Sequence, residues 1–80
     1  MSSKMIWLVN DDEVVGGLVF FSLPPRGELD LLVYPPAILN SAEIAELATS
    51  LLHGHRFGKV GAYQWTDDPT GLKHPRPDLA

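Results

Sequence analysis

The fold of this chain is decided by the stretch Leu39–Gly54, LNSAEIAELATSLLHG. Asn40 is a preferred N-cap residue and Glu43 follows it by three positions, which is the spacing of a reciprocal capping box. Gly54 can take the left-handed conformation that ends a helix. Between them, apolar residues recur at i, i+3, i+4, i+7 and i+8, so one stripe of the predicted helix faces a core. That stripe consists of Ile44, Leu47, Ala48, Leu51 and Leu52.

Four other segments have the composition of β-strands, because they are rich in β-branched and aromatic residues and are too short for helices. Asn10–Asp12 is a turn signal, and prolines and a glycine at 24–27 end the second segment. Gly16-Gly17 is either a hairpin turn or a bulge, and we favour a turn across residues 10–13 with a bend at the glycines. The four predicted strands are Lys4–Val9, Val14–Leu23, Glu28–Tyr34 and Lys59–Trp65.

The order of these segments predicts an α+β fold of the form β-β-β-α-β. Three sequential strands joined by short turns form an antiparallel meander, and the helix packs across one face of it. A fourth strand then joins an edge of the sheet. Because the helix acts as a crossover, we expect the fourth strand to run parallel to the third, either beside it or beside the first strand.

The length and composition of the chain restrict its class. Eighty residues form one domain, which we place at 1–68, with an extended or flexible C-terminal tail at 69–80. The chain has no cysteine, so it contains no disulfide framework or thiolate metal site. Its formal net charge of −4 is unusual for a general nucleic-acid binder. The N-terminus has neither a signal sequence nor a membrane span, and we expect a cytoplasmic protein.

The predicted sheet carries more apolar residues than one helix can cover. A one-sided antiparallel sheet alternates between apolar and polar residues, whereas the middle strands here are apolar on both faces. We expect the helix to cover Val19, Phe21, Leu29, Leu31 and Val33. The opposite face is then a candidate partner-binding surface, with Leu72 and Leu79 of the tail as a rival cover. Its predicted residues are Leu18, Phe20, Leu32 and Tyr34.

Residues of catalytic type are concentrated around His53-Gly54-His55, with His74, Asp67 and Asp68 elsewhere in the chain. Two imidazoles in an H-x-H pattern do not complete a zinc site, and the simpler role of these residues is to cap the helix. No serine lies in a nucleophile elbow, and no glycine-rich segment has the pattern of a phosphate-binding loop. We therefore expect no catalytic residue, no metal and no cofactor.

A second group of residues suggests an alternative in which the chain binds RNA or DNA. Cations beside aromatic rings can form a surface on which bases stack. The acidic net charge and the carboxylates that follow Trp65 disfavour the hypothesis that the chain binds nucleic acid. The residues concerned are His53, His55, Arg56 and Lys59 beside Tyr63 and Trp65.

The sequence thus favours a non-catalytic protein-binding module that acts through an apolar sheet face or edge. Its partner would be another protein or a second copy of the chain, with nucleic acid as the alternative and no membrane. Small size and acidity suit an inhibitor or adaptor, such as a phage- or plasmid-type antagonist of a larger host complex. The sequence does not identify the partner.

Overall fold

The computed structural model describes residues 3–23 and 28–72, which form one five-stranded antiparallel sheet and one helix. The predicted α+β class, with its meander and single helix, is confirmed. No helix in this described part is long and apolar enough to cross a membrane. The elements are β1 Ser3–Asn10, β2 Glu13–Leu23, β3 Glu28–Tyr34, α1 Ser41–Leu52, β4 Phe57–Val60 and β5 Tyr63–Thr66.

The first hairpin turns at Asp11-Asp12, as predicted. Both aspartates have positive φ values, 51° and 62°, and they lie between the paired residues Asn10 and Glu13. Two central residues with positive φ define a type I′ turn, whose twist matches that of the flanking strands. Aspartate tolerates this backbone better than most residues other than glycine.

The predicted bend near the glycines is a β-bulge. Leu8 pairs with Gly16, but Val9 pairs with Val14, so Val15 is an extra residue in β2. An inserted residue shifts the register by one and therefore exchanges the two faces of the strand beyond it. Every residue of β2 after the bulge faces the side opposite to the one that uninterrupted pairing would give.

The helix begins as its sequence predicts. The Asn40 side chain accepts a hydrogen bond from the Glu43 backbone N–H at 2.8 Å, and the Glu43 carboxylate accepts from the Asn40 N–H at 2.9 Å. This reciprocal pair satisfies two donors that the helix itself cannot satisfy. Leu47 is fully buried in the stripe, but Leu52 is 84% exposed. The predicted burial of Leu52 in the stripe is therefore wrong.

The end of the helix forms a Schellman motif around Gly54, which has a φ of +81°. The Gly54 N–H donates to the carbonyl of Leu51, and the His55 N–H donates to the carbonyl of Ser50. These two bonds satisfy carbonyls that lack partners within the helix. The predicted stop at Gly54 is confirmed.

The predicted single strand Lys59–Trp65 is wrong, because the segment is a hairpin of two short strands. Gly61 has a φ of +59° at the first central position of the turn, where glycine is favoured in type II′ hairpins. The strand order is β3-β2-β1-β5-β4, and β5 pairs antiparallel with β1. The two edge strands of this sheet are β3 and β4, and they run in the same direction at opposite edges.

The main core lies between the sheet and α1. Its buried members from the sheet include Ile6, Leu8, Leu18 and Trp65, and Leu47 packs on them from the helix. This position of Leu18 contradicts the expected exposure of Leu18 and Phe20. Directly paired residues of an antiparallel sheet share a face. Leu18 pairs with Val33, and Phe20 pairs with Leu31, so both pairs lie on the helix side.

Candidate interaction surface

The sheet face opposite α1, here called the distal face, is built from two continuous rows of paired residues. In one row, Met5 pairs with Val19, which pairs with Leu32. In the next row, Trp7 pairs with Gly17, which pairs with Tyr34. The bulge sets the register of β1 on β2, so Met5 and Trp7 share this face with Val19, and the uninterrupted pairing of β2 with β3 puts Leu32 and Tyr34 there. The centre of the distal face therefore consists of Met5, Trp7, Val19, Leu32 and Tyr34.

Gly17 creates a depression in the middle of this surface. It has no side chain to fill the space between Trp7 and Tyr34, and a Cβ added there would lie 2.9 Å from the carbonyl oxygen of Ile6. The resulting groove has a volume of about 420 Å³. None of the described residues that line it is charged. A concave apolar surface of this kind suits an apolar side chain of a partner.

Several large side chains of the distal face lie in water. Leu32 is 65% exposed, Met5 is 49% exposed and Tyr34 is 40% exposed. The row of Trp7 and Tyr34 continues through Thr66 to Phe57 on β4, and Phe57 is 76% exposed. This row therefore runs from one edge of the sheet to the other, with Thr66 as a polar member between Trp7 and Phe57.

The structure places the four predicted partner-binding residues on different sides of the sheet. Leu32 and Tyr34 lie on the distal face, whereas Leu18 and Phe20 face the helix. Trp7 and Gly17 were not predicted as partner-binding residues, and Val19 was expected under the helix but lies on the distal face. A turn signal at Asp11-Asp12 followed by two glycines is the signal that could have indicated a shift of register.

Part of the distal face is already buried near the end of β1. Val9 pairs with Val14, and both are buried outside the main core. Leu72 lines the same cavity as Val9 and Phe57, so it stands at the margin of this second apolar cluster. Leu72 was one of the two tail residues predicted as a rival cover. The other, Leu79, lies outside the described residues.

The residues of the nucleic-acid alternative do not form one surface. Trp65 is 2% exposed and belongs to the main core, so it cannot stack on a base in the folded chain. Tyr63 is partly buried and packs against the same core. Lys59 pairs with Gln64 on the distal face, while His53 and His55 lie at the exposed end of the helix.

Arg56, the sixth residue of that group, is held by Asp67. The Asp67 carboxylate accepts hydrogen bonds from Lys4 Nζ at 2.9 Å and from Arg56 Nε at 3.1 Å. These two bonds, Lys4 first, lower the pKa of Asp67 below its ordinary value. The hydrogen bond from Arg56 Nε to the Asp67 carboxylate also raises the pKa of Arg56. The triad connects the start of β1 to the hairpin of β4 and β5.

The described residues include no group of three or more His, Asp or Glu side chains that could hold a metal ion. Asp68 is engaged by Thr70, whose hydroxyl and backbone N–H donate to its carboxylate and lower its pKa. His74, the remaining metal candidate of the sequence, lies outside the residues that the structure describes.

Comparisons with family models, curated proteins and solved structures found no match for this chain.

Proposed function

We propose that this chain is a non-catalytic protein-binding module that acts through the distal face of its sheet. The observation that carries this proposal is the uncharged groove over Gly17, with Trp7 on one side and Tyr34 on the other. Exposed contiguous apolar surface commonly marks an interaction site in proteins of this size.

The energetics indicate how large the interface has to be. Full burial of one large apolar side chain contributes roughly 1.5–3 kcal/mol, so the exposed fractions of Met5, Leu32 and Tyr34 would contribute roughly 3 kcal/mol together. Association itself costs roughly 4–15 kcal/mol. The central residues are therefore insufficient alone, and the interface must extend along the row to Phe57 on β4.

The simplest occupant is a second copy of the chain. The net charge of −4 opposes most contacts between copies. The described residues that line the groove are uncharged, so no carboxylate of the groove opposes a contact between two copies there. A two-fold axis would then pair the same surface on both copies. Such a homodimer suits a small cytoplasmic inhibitor or adaptor, whose target is a larger complex.

Light scattering on wild type and two matched variants tests this proposal. Leu32→Glu and Leu52→Glu each put a carboxylate at a well-exposed leucine, but only Leu32 is on the distal face. Wild type and Leu52→Glu should have about twice the mass of the 8.8 kDa chain. Leu32→Glu should be a monomer with an unchanged circular dichroism spectrum.

A monomeric wild type would exclude the homodimer, and the proposed partner of the distal face would then be a different protein. That protein should co-purify from the native host with wild type and not with Leu32→Glu. A monomer that retains no protein, or retains the same proteins in both forms, would contradict the proposed function.

A further inference from the structure

A second groove, here called the helix-end groove, lies on the helix side of the sheet between the end of α1 and β2. Its volume is about 390 Å³. Its floor is apolar, and its most exposed member, Leu52, is a leucine that the helix does not use to pack on the sheet. The residues that define the groove are Phe20, Leu51 and Leu52, with Lys4, His55 and Arg56 at the rim.

The charged side chains that line this groove are opposite in sign to the net charge of the chain. The chain has a net charge of −4, yet no aspartate or glutamate is among the described lining residues. Of the three Lys and Arg residues that the structure describes, Lys4 and Arg56 line the groove and only Lys59 lies elsewhere. Two carboxylates outside the lining act on these cations: Asp67 bonds to both of them, and Asp68 attracts Arg56.

We infer that the helix-end groove binds an acidic peptide segment of a partner protein, with a bulky apolar side chain seated beside Leu52. The apolar floor supplies the anchor site, and the two cations supply donors for a carboxylate next to that anchor. One hydrogen bond to Asp67 from each cation uses one donor, whereas a guanidinium has five and an ammonium has three. Both groups can therefore serve a second carboxylate.

Three features of the structure act against an acidic ligand, and none of them prevents its binding. The C-terminal end of a helix carries partial negative charge on its last carbonyls. Here the N–H groups of Gly54 and His55 already bond to two of those carbonyls. The other two are carboxylates: the Asp67 side chain is only 8% exposed and is bonded to Lys4 and Arg56, and the Asp68 carboxylate lies outside the groove lining and accepts from Thr70.

A random peptide display library, selected on the full chain, tests this inference. We expect the selected sequences to be rich in Asp or Glu next to Leu, Ile or Phe. The most enriched peptide is then synthesised with a fluorescent label, and its affinity is measured by polarisation. Leu52→Glu should weaken binding at least about tenfold, because it replaces an apolar residue of the groove with a charge that repels the acidic peptide. Leu52→Met, which preserves an apolar side chain, should bind within about threefold of wild type.

Two further measurements separate this site from the distal face. Lys4→Gln and added salt should each weaken the binding of the peptide, because both reduce the attraction between opposite charges. Leu32→Glu should bind like wild type. A selection without enrichment, enrichment of basic peptides, or equal affinity in Leu52→Glu would overturn the inference. Binding that is lost in Leu32→Glu instead would also overturn it, but would support the proposed function.

Discussion

Gly61 makes a contact that connects the β4–β5 hairpin to the start of the helix. A Cβ added to Gly61 would clash with Oε2 of Glu43, whose other carboxylate oxygen, Oε1, accepts from the Asn40 N–H in the capping box. Gly61→Ala should therefore displace the Glu43 side chain and break its hydrogen bond to the Asn40 N–H. Gly54 is the matched control, because it also has positive φ but has no atom within 4 Å of an added Cβ.

The two substitutions share one kind of cost, and Gly61→Ala adds a second. An alanine at positive φ costs about 1–2 kcal/mol at Gly54, and no less at Gly61, which occupies the type II′ position that favours glycine. Loss of the Glu43 hydrogen bond adds about 0.5–1.5 kcal/mol at Gly61 only. For a domain of this size, 1 kcal/mol corresponds to roughly 4–8 °C in Tm. We expect Gly61→Ala to melt several degrees below Gly54→Ala.

Thermal or urea unfolding in a double-mutant cycle tests the assigned cause. In a Glu43→Ala background the carboxylate is absent, so Gly61→Ala should cost less than it does in the wild-type background, while the cost of Gly54→Ala should not change. The coupling between positions 43 and 61 should then be about 0.5–1.5 kcal/mol. Equal losses for the two glycine variants, or the same loss at Gly61 with and without the Glu43 carboxylate, would refute the reasoning.

Three other predictions concern stability and can be measured by urea unfolding. Asn40→Ala should cost about 1 kcal/mol, because the Glu43 N–H loses its acceptor. Leu47→Ala should cost about 2.7–5 kcal/mol and Leu52→Ala less than about 0.5 kcal/mol, since only Leu47 is buried; equal costs would show that the helix is rotated. Because folding lowers the pKa of Asp67, its stabilising contribution is present above the unfolded value of about 3.9 and is lost as pH falls through the folded value. Asp67→Asn should therefore lose less stability than wild type between roughly pH 6 and pH 3, and parallel losses would contradict this role.

The sequence by itself determined the elements whose physics is local. The capping box of Asn40 and Glu43 and the helix stop at Gly54 each depend on residues within a few positions of one another. Both features are present in the structure. The turn at Asp11-Asp12 is equally local, since each aspartate needs only its own backbone to adopt positive φ. Fold class followed from these elements, because an amphipathic helix among apolar strands has to cover one face of a sheet.

The sequence misled where the meaning of a residue depended on a distant neighbour. The segment Lys59–Trp65 has the composition of one strand, and its turn at Gly61 becomes evident only when β4 pairs with β5, which in turn pairs with β1. Leu52 has the right spacing for the helix stripe, but whether a stripe residue is buried depends on how far the sheet extends beneath it. Periodicity predicts the side of the helix on which a residue lies, but it does not predict which residues pack against that side chain.

The candidate surface shows the same division between local and tertiary information. Apolar residues on both faces of the middle strands were evident from the sequence, and they led to the expectation of a second cover. Which residues of β1 share the distal face with β2 was decided by a single extra residue, Val15, because side chains in a strand alternate with a period of two and one insertion exchanges the faces beyond it. The pairing of β2 with β3 places Leu18 opposite Val33 in the core and Val19 opposite Leu32 on the distal face. That exchange depends on pairing across three strands, which only the tertiary structure decides.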